Sequence, residues 1–343
     1  MSQIDAGMAR ELREAPDAVR RQGSALARPL ADLAALLQRK APRFVVTCAR
    51  GSSAHAATFG KHLIERHLGI AVAAAAPNIA TVYGRRLDLQ DQLFLAISQS
   101  GRSDDLIEFT AMAKAAGALT VVLVNDTESP LAATADIVLP MAAGPELSVA
   151  ATKTFVASLA ALLQVAGVWA GDAGLQSAAA RLPERLAAAA ELDWSMALGE
   201  LSASKSLVTI GRGPTLAIAR EASLKFKETC DLHAEAFSGA EFLHGPVALV
   251  STRYPVLLFM PNDAAGAGLT DLAADLRRKG ASVFVTAAEA SLPGWLPALP
   301  SDHPDADAVC LIQSFYGLAV RLAERRGTDV EKPRHLQKVT RTR

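Results

Sequence analysis

VVTCARGSS, residues 45–53, is a short β-rich run ending in Arg-Gly and two serines, and LVTIGRGPT, residues 207–215, follows the same plan 162 positions later. Moving DQLFLAISQS (91–100) by the same offset gives RYPVLLFMPN (253–262), and moving GALTVVLVN (117–125) gives KGASVFVTA (279–287). Three apolar runs that keep one spacing point to an internal duplication. Each half alternates these runs with helical patterns. The first half has HAATFGKHLIERH (55–67) and DDLIEFTAMAKAAG (104–117), and the second has TLAIAREASLKFKETC (215–230) and LTDLAADLRRKG (269–280). Uninterrupted apolar strands between helices predict parallel sheets covered on both faces. The chain therefore reads as α/β, with two tandem doubly wound, flavodoxin-like domains. The expected boundaries are a helical segment at 1–31, a first domain at 32–171, a helical connector at 172–199, a second domain at 200–326 and a tail at 327–343.

Composition narrows the function. The 343 residues suffice for about two domains, and 35 Lys+Arg against 35 Asp+Glu leave no field to attract nucleic acid or an anionic membrane. The expected partner is a small molecule or a second copy of the chain. Cys48, Cys230 and Cys310 stand far apart, as reduced thiols in packed positions do. The start, MSQIDAGMARELREAP, lacks an apolar signal core. FVASLAALLQVAGVWAG (155–171) carries Ser158 and Gln164, falls short of the ~18–20 residues of a membrane span, and reads as a buried helix. A cytoplasmic protein is expected.

The halves differ in chemistry. SQSGRS (98–103) lies between an apolar strand and a helix, where ligands of doubly wound sheets bind. Small residues, hydroxyls and a helix N-terminus there suit a phosphate. The competing reading is a polar turn in which Ser103 caps the helix. The shifted positions, MPNDAA (260–265), hold no serine, and GSS (51–53) becomes GPT (213–215), which favours phosphate in the first half. Conversely, Glu221, Lys225 and Glu228 share one helix face in the second half, where the first half has Phe59, Leu63 and Arg66. Such a stripe is either a solvated ion-pair face or a proton-transfer set. HAEAFSGAEFLHGPVALV (233–250) reads as a loop presenting His244 just before Gly-Pro, and Lys338 in the basic tail follows Leu336, which could dock it. No Cys/His spacing suits a metal, and no cofactor is expected.

With MARELREAP (8–16), ARGSS (49–53), SQSGRSDD (98–105), ELSVAATKTF (146–155), EASLKFKE (221–228), HAEAFSGAEFLHGP (233–246) and TDVEKPRHLQK (328–338), the chain resembles the sugar isomerase (SIS) family. The likeness is to the isomerase half of glucosamine-6-phosphate synthase and the stand-alone deaminases related to it. The resemblance implies that Ser53, Ser98, Gln99, Ser100 and Ser103 bind a sugar phosphate. It implies that Glu228 shuttles a proton between C1 and C2, in one set with Glu221 and Lys225, and that His244 opens the sugar ring. It further implies that His244 crosses from the neighbouring subunit of a homodimer, that Lys338 closes over the sugar and can form a Schiff base, and that Glu146 and Val149 contact the sugar. The synthase's glutaminase segment and its cysteine have no counterpart before residue 8, so no ammonia from glutamine is expected. Arg50 stands where the synthase has cysteine, Ala151 replaces a serine, and the ending KVTRTR departs from the synthase tail. The expected activity is deamination of glucosamine 6-phosphate to fructose 6-phosphate and ammonia. The rivals are a 6-phospho-ketosamine deglycase, an isomerase subunit fed by a separate glutaminase, and a non-catalytic sugar-phosphate sensor.

Overall fold

The computed structural model describes residues 7–290 and 293–338; expectations for 1–6 and for the closing VTRTR lie outside the described residues. The chain begins with α1 (Gly7–Arg13), α2 (Ala15–Lys40), β1 (Phe44–Ala49), α3 (Gly51–Leu68), β2 (Ala71–Ala74) and α4 (Asn78–Thr81). It continues through β3 (Leu93–Ser98), α5 (Asp104–Ala115), β4 (Leu119–Val124), α6 (Pro130–Thr134), β5 (Ile137–Pro140), α7 (Lys153–Ala170), α8 (Ala173–Ala190) and α9 (Leu198–Ala203). The second repeat comprises β6 (Ser206–Gly211), α10 (Thr215–Cys230), β7 (His233–Ser238), α11 (Gly239–Leu243), β8 (Pro255–Leu258), α12 (Ala267–Arg278), β9 (Ser282–Ala287), β10 (Trp295–Pro297) and α13 (Pro304–Arg326). Two units result. Among the described residues the first lobe takes 17–146, 153–180 and 337–338, and the second takes 7–16, 147–152 and 181–336.

Each lobe holds one five-stranded sheet, in the order β2-β1-β3-β4-β5 and β7-β6-β8-β9-β10. Every pairing is parallel. The two orders are the same topology, so the tandem doubly wound reading holds. In each sheet the strand order reverses between the first strand and the third, β1 and β3 or β6 and β8. The offset of 162 relates β1 to β6 and the start of β3 to that of β8, but β4 to β9 and α5 to α12 are 163 apart. The extra residue falls in the turn after β8, which contains Pro261 and Gly266.

The cores explain the apolar runs. β3 and β4 are buried at every position, as strands covered on both faces must be. Phe94 and Phe109 pack with ring centroids 5.5 Å apart in the first lobe. Val208, Ile210, Val256, Leu258 and Leu272 fill the second. Each such side chain contributes about 1.5–3 kcal/mol when fully buried. In the first lobe α2 is pinned by the fully buried Gln22, whose amide donates to Met141 O and Ala157 O at 2.9 Å each. Both α7 and α13 are long and apolar enough to cross a membrane by length and composition, and both are mostly buried. The apolar run expected to fall short of a span is thus an 18-residue helix, Lys153–Ala170, and it is a core helix.

One expectation is corrected. Residues 233–238 are a strand, paired with β6 from Ser206↔His233 to Gly211↔Ser238. β7 is an edge strand with Ala234 buried and His233 and Glu235 exposed. Its polar residues point to water from a half-covered sheet edge, which is why the segment reads as a loop.

Candidate active site

At the switch point of the first lobe two loops leave neighbouring strands. Arg50 stands at the N-cap position of α3 in an extended conformation without a side-chain capping bond, followed by Gly51, Ser52 and Ser53. Ser98 closes β3, and its Oγ accepts the Gly101 N–H at 3.1 Å; Ser100 Oγ accepts the Arg102 N–H at 3.3 Å. These bonds curl the loop. Gly101 has φ +64°, and a Cβ there would stand 2.0 Å from Ser129 Oγ, so only glycine fits. Ser103 occupies the N-cap of α5 in an extended conformation, but its side chain makes no capping bond. The purely structural role of Ser103 as a helix cap is thereby corrected. Ser53, Gln99, Ser100 and Ser103 are half-buried, and Ser98 is buried. Arg50 Nε and Nη2 both donate to Asp105 Oδ2, at 2.9 and 2.7 Å.

The equivalent point of the second lobe is closed. Thr215, fully buried, accepts the Arg212 N–H at 3.1 Å and donates to Phe259 O at 2.7 Å. That hydroxyl joins the loop after β6 to the chain after β8. A Cβ on Gly211 would stand 2.2 Å from the Thr215 carbonyl oxygen, so strand and helix touch backbone to backbone.

The second lobe supplies charge instead. On α10, Lys225 Nζ lies 3.1 Å from Glu221 Oε1 and 2.5 Å from Glu228 Oε2. The side chains of Glu221 and Lys225 are fully buried, and that of Glu228 is 21% exposed. The solvated-stripe reading fails, because two of the three side chains are wholly withdrawn from solvent, while the opposite face of α10 is anchored to α13 through Phe226 on Phe315. Burial alone would push the Lys225 ammonium toward neutrality; the Coulombic pull of Glu221 and Glu228 outweighs it and raises the pKa above the ordinary value. Glu228 opens onto a cleft of about 590 Å³ that Thr229, Asp231, Lys332 and Arg334 also line. The Thr328 hydroxyl donates to Thr229 O at 2.6 Å and fixes the start of the tail against the end of α10.

His244 follows α11, whose N-cap Ser238 accepts the Glu241 N–H. The histidine is exposed, between the exposed Leu243 and Gly245, whose φ of +138° suits only glycine. Glu146, 4% exposed, accepts from the Thr154 hydroxyl at 2.5 Å and from Lys338 Nζ at 3.4 Å. Val149 is half-buried. His244 and Val149 apart, the candidate residues fall into three local groups: the serine loops, the α10 triad and the Glu146–Lys338 pair. Among the described residues no three His, Cys, Asp or Glu side chains are grouped to hold a metal.

The SIS domain family matches residues 39–167 and 200–291, one stretch in each repeat. This chain belongs to the SIS domain family. It is 32% identical over 311 residues to the glutamine–fructose-6-phosphate aminotransferase (isomerizing) of Thermotoga maritima, covering 86% of this chain and 50% of that protein. The corresponding Symbiobacterium thermophilum protein is 34% identical over 319 residues, 87% of this chain and 52% of its own length. The chain spans about half the length of these curated relatives. Among solved structures, a provisionally assigned phosphosugar isomerase from Silicibacter pomeroyi DSS-3 matches with TM-score 0.90 and 46% identity, over 95% of this chain and 99% of that one. The C-terminal domain of glucosamine-fructose-6-phosphate aminotransferase from Francisella tularensis matches with TM-score 0.85 and 25% identity, over 96% and 98%.

Several SIS-lobe residues of consequence escape sequence reading. Asp105, 1% exposed, is the partner of Arg50, although Asp-Asp after the loop reads only as helix-start acidity. Glu11, 2% exposed, accepts the Leu147 N–H at 2.5 Å and so holds the strand of chain that follows Glu146. Thr154, which braces Glu146, is visible only as part of the ATKTF stretch.

Proposed function

We propose that this SIS protein is a sugar-phosphate isomerase that deaminates glucosamine 6-phosphate, with water, to fructose 6-phosphate and ammonia. In this reading the phosphate is held by Ser53, Ser98, Gln99, Ser100 and Ser103 at backbone N–H groups near a helix N-terminus. His244, contributed by a second copy, assists ring opening. Glu228 carries a proton from C2 to C1 through an enolamine. The resulting C2 imine takes up water and expels ammonia. Lys225 and Glu221 hold the Glu228 carboxylate in place, while Lys338 and Glu146, with Val149, contact the sugar.

The observation that carries the proposal is the buried Glu221–Lys225 pair joined to Glu228, which lines a cleft. Two charges withdrawn from water beside a third at a cleft are a costly arrangement for stability alone and a useful one for proton transfer. General acid–base transfer supplies ~10²–10⁴-fold in rate. The test is direct: purified protein is given glucosamine 6-phosphate, and ammonia and fructose 6-phosphate are measured. Glu228→Gln is expected to lower kcat by about 10²–10⁴-fold while inorganic phosphate still competes for binding. An unaffected kcat removes Glu228 from the proton path. A second reading follows from the aminotransferase relatives, which are 32% and 34% identical: the site runs toward amination of fructose 6-phosphate with ammonia delivered by a separate protein. Formation of glucosamine 6-phosphate from fructose 6-phosphate and free ammonia, faster than its breakdown, would favour that direction.

A further inference from the structure

The pair Arg50–Asp105 is a charge cluster that the isomerisation does not use. Arg50 belongs to the loop after β1 and Asp105 to the first turn of α5, so one ion pair joins the two loops that flank the first switch point. The Arg50 side chain is 53% exposed, whereas that of Asp105 is 1% exposed. A carboxylate in this place is unfavourable for the proposed ligand. It sits, out of water, in the same helix turn whose N–H groups would attract a phosphate. Its field reaches the neighbouring residues: burial, then the charge of Asp105, pushes the Cys48 thiol up to about 12.

The second lobe provides an internal control. Arg212 stands 162 positions after Arg50, and Gly268 is the second residue of α12 as Asp105 is of α5. A Cβ on Gly268 would lie 3.3 Å from Arg212 Nη1. The arginine therefore reaches toward the same helix turn in both lobes, and the acid is present only in the lobe with the serine loops. Neither lobe needs the acid to build the fold, since the second forms the same topology with glycine there.

We propose that Arg50 is a positioning residue of the phosphate site: paired with Asp105, it ties the two serine loops together and cancels a buried negative charge that would otherwise oppose the phosphate. This rests on the phosphate reading of those loops. Lysine would not replace it, because two nitrogens of a planar guanidinium grip one carboxylate oxygen.

The test measures binding of inorganic phosphate by calorimetry, and KM and kcat for glucosamine 6-phosphate, in the full chain. Arg50→Gln is expected to weaken phosphate binding about tenfold or more, and to raise KM with kcat little changed. The double variant Arg50→Gln with Asp105→Asn is expected to recover most of that loss, because the repelling charge is gone. Arg50→Lys should fall between wild type and Arg50→Gln. Two results overturn the inference alone: wild type binds phosphate and Arg50→Gln binds it equally well, or the double variant is as weak as Arg50→Gln although folded. A wild-type protein that binds no phosphate instead overturns the underlying reading of the loops, and the inference with it.

Discussion

At the scale of the residue, Lys225 concentrates the risk and the use of this molecule. Its position three and four residues from two glutamates is plain in the sequence; its complete burial is not, because Glu-x-x-x-Lys spacing is commonest on wet helix faces. Only tertiary packing, which leaves the Lys225 side chain with no exposed surface, decides the matter. Lys225→Met leaves Glu221 buried without its cation, and a loss of about 3–5 kcal/mol in unfolding free energy is expected, measured by chemical denaturation. The pH dependence has a definite sign. A lysine whose folded pKa is raised above the ordinary 10.5 contributes stability that is whole below that pH and is lost as pH climbs through the folded value. The gap between wild type and Lys225→Met should therefore not close between about pH 7 and 9, since a buried carboxylate left without its cation becomes only costlier as pH rises. A gap that closes over that range would mean that Lys225 is not the charged member of the set.

At the scale of the element, the serines at two helix starts make opposite predictions. Ser129 caps α6 through the Ala132 N–H, and Ser129→Ala is expected to cost about 1 kcal/mol of stability. Ser103 holds the same position on α5 without a capping bond. Ser103→Ala should leave the melting temperature near that of wild type and raise KM for the sugar phosphate severalfold. A melting loss equal to that of Ser129→Ala, with unchanged KM, would return Ser103 to a helix cap. Strands and long helices were legible because apolar runs and their spacing are written directly in the residues. β7 was not, because an edge strand that exposes His233 and Glu235 carries the polarity of a loop. Nor was the Arg50–Asp105 tie, which links residues 55 positions apart and leaves no local pattern.

At the scale of the whole molecule, the duplication was the most readable feature, since topology followed from three offsets; the inserted residue after β8 was hidden by the short, similar ends of the runs. His244 is exposed, as are Leu243 and Leu249 of the same segment at 54% and 50%. If His244 serves a neighbour's site, co-expressed Glu228→Gln and His244→Asn chains form mixed dimers with one intact site. Activity near a quarter of wild type, about the share expected from random pairing into closed dimers, is the predicted outcome of that assay. A mixture no more active than its two parents would place each site within one chain.

The two bonds of the Thr215 hydroxyl, from the Arg212 N–H and to Phe259 O, draw together in the later copy the two segments that its counterpart leaves to serine loops. Reopening the gap between them would require new room at Gly211 and new donors after β8 at the same time, a change no single replacement can deliver. Grafting the later copy's serine-free loop, MPNDAA, in place of SQSGRS is expected to abolish phosphate binding if the first crevice is the anion seat.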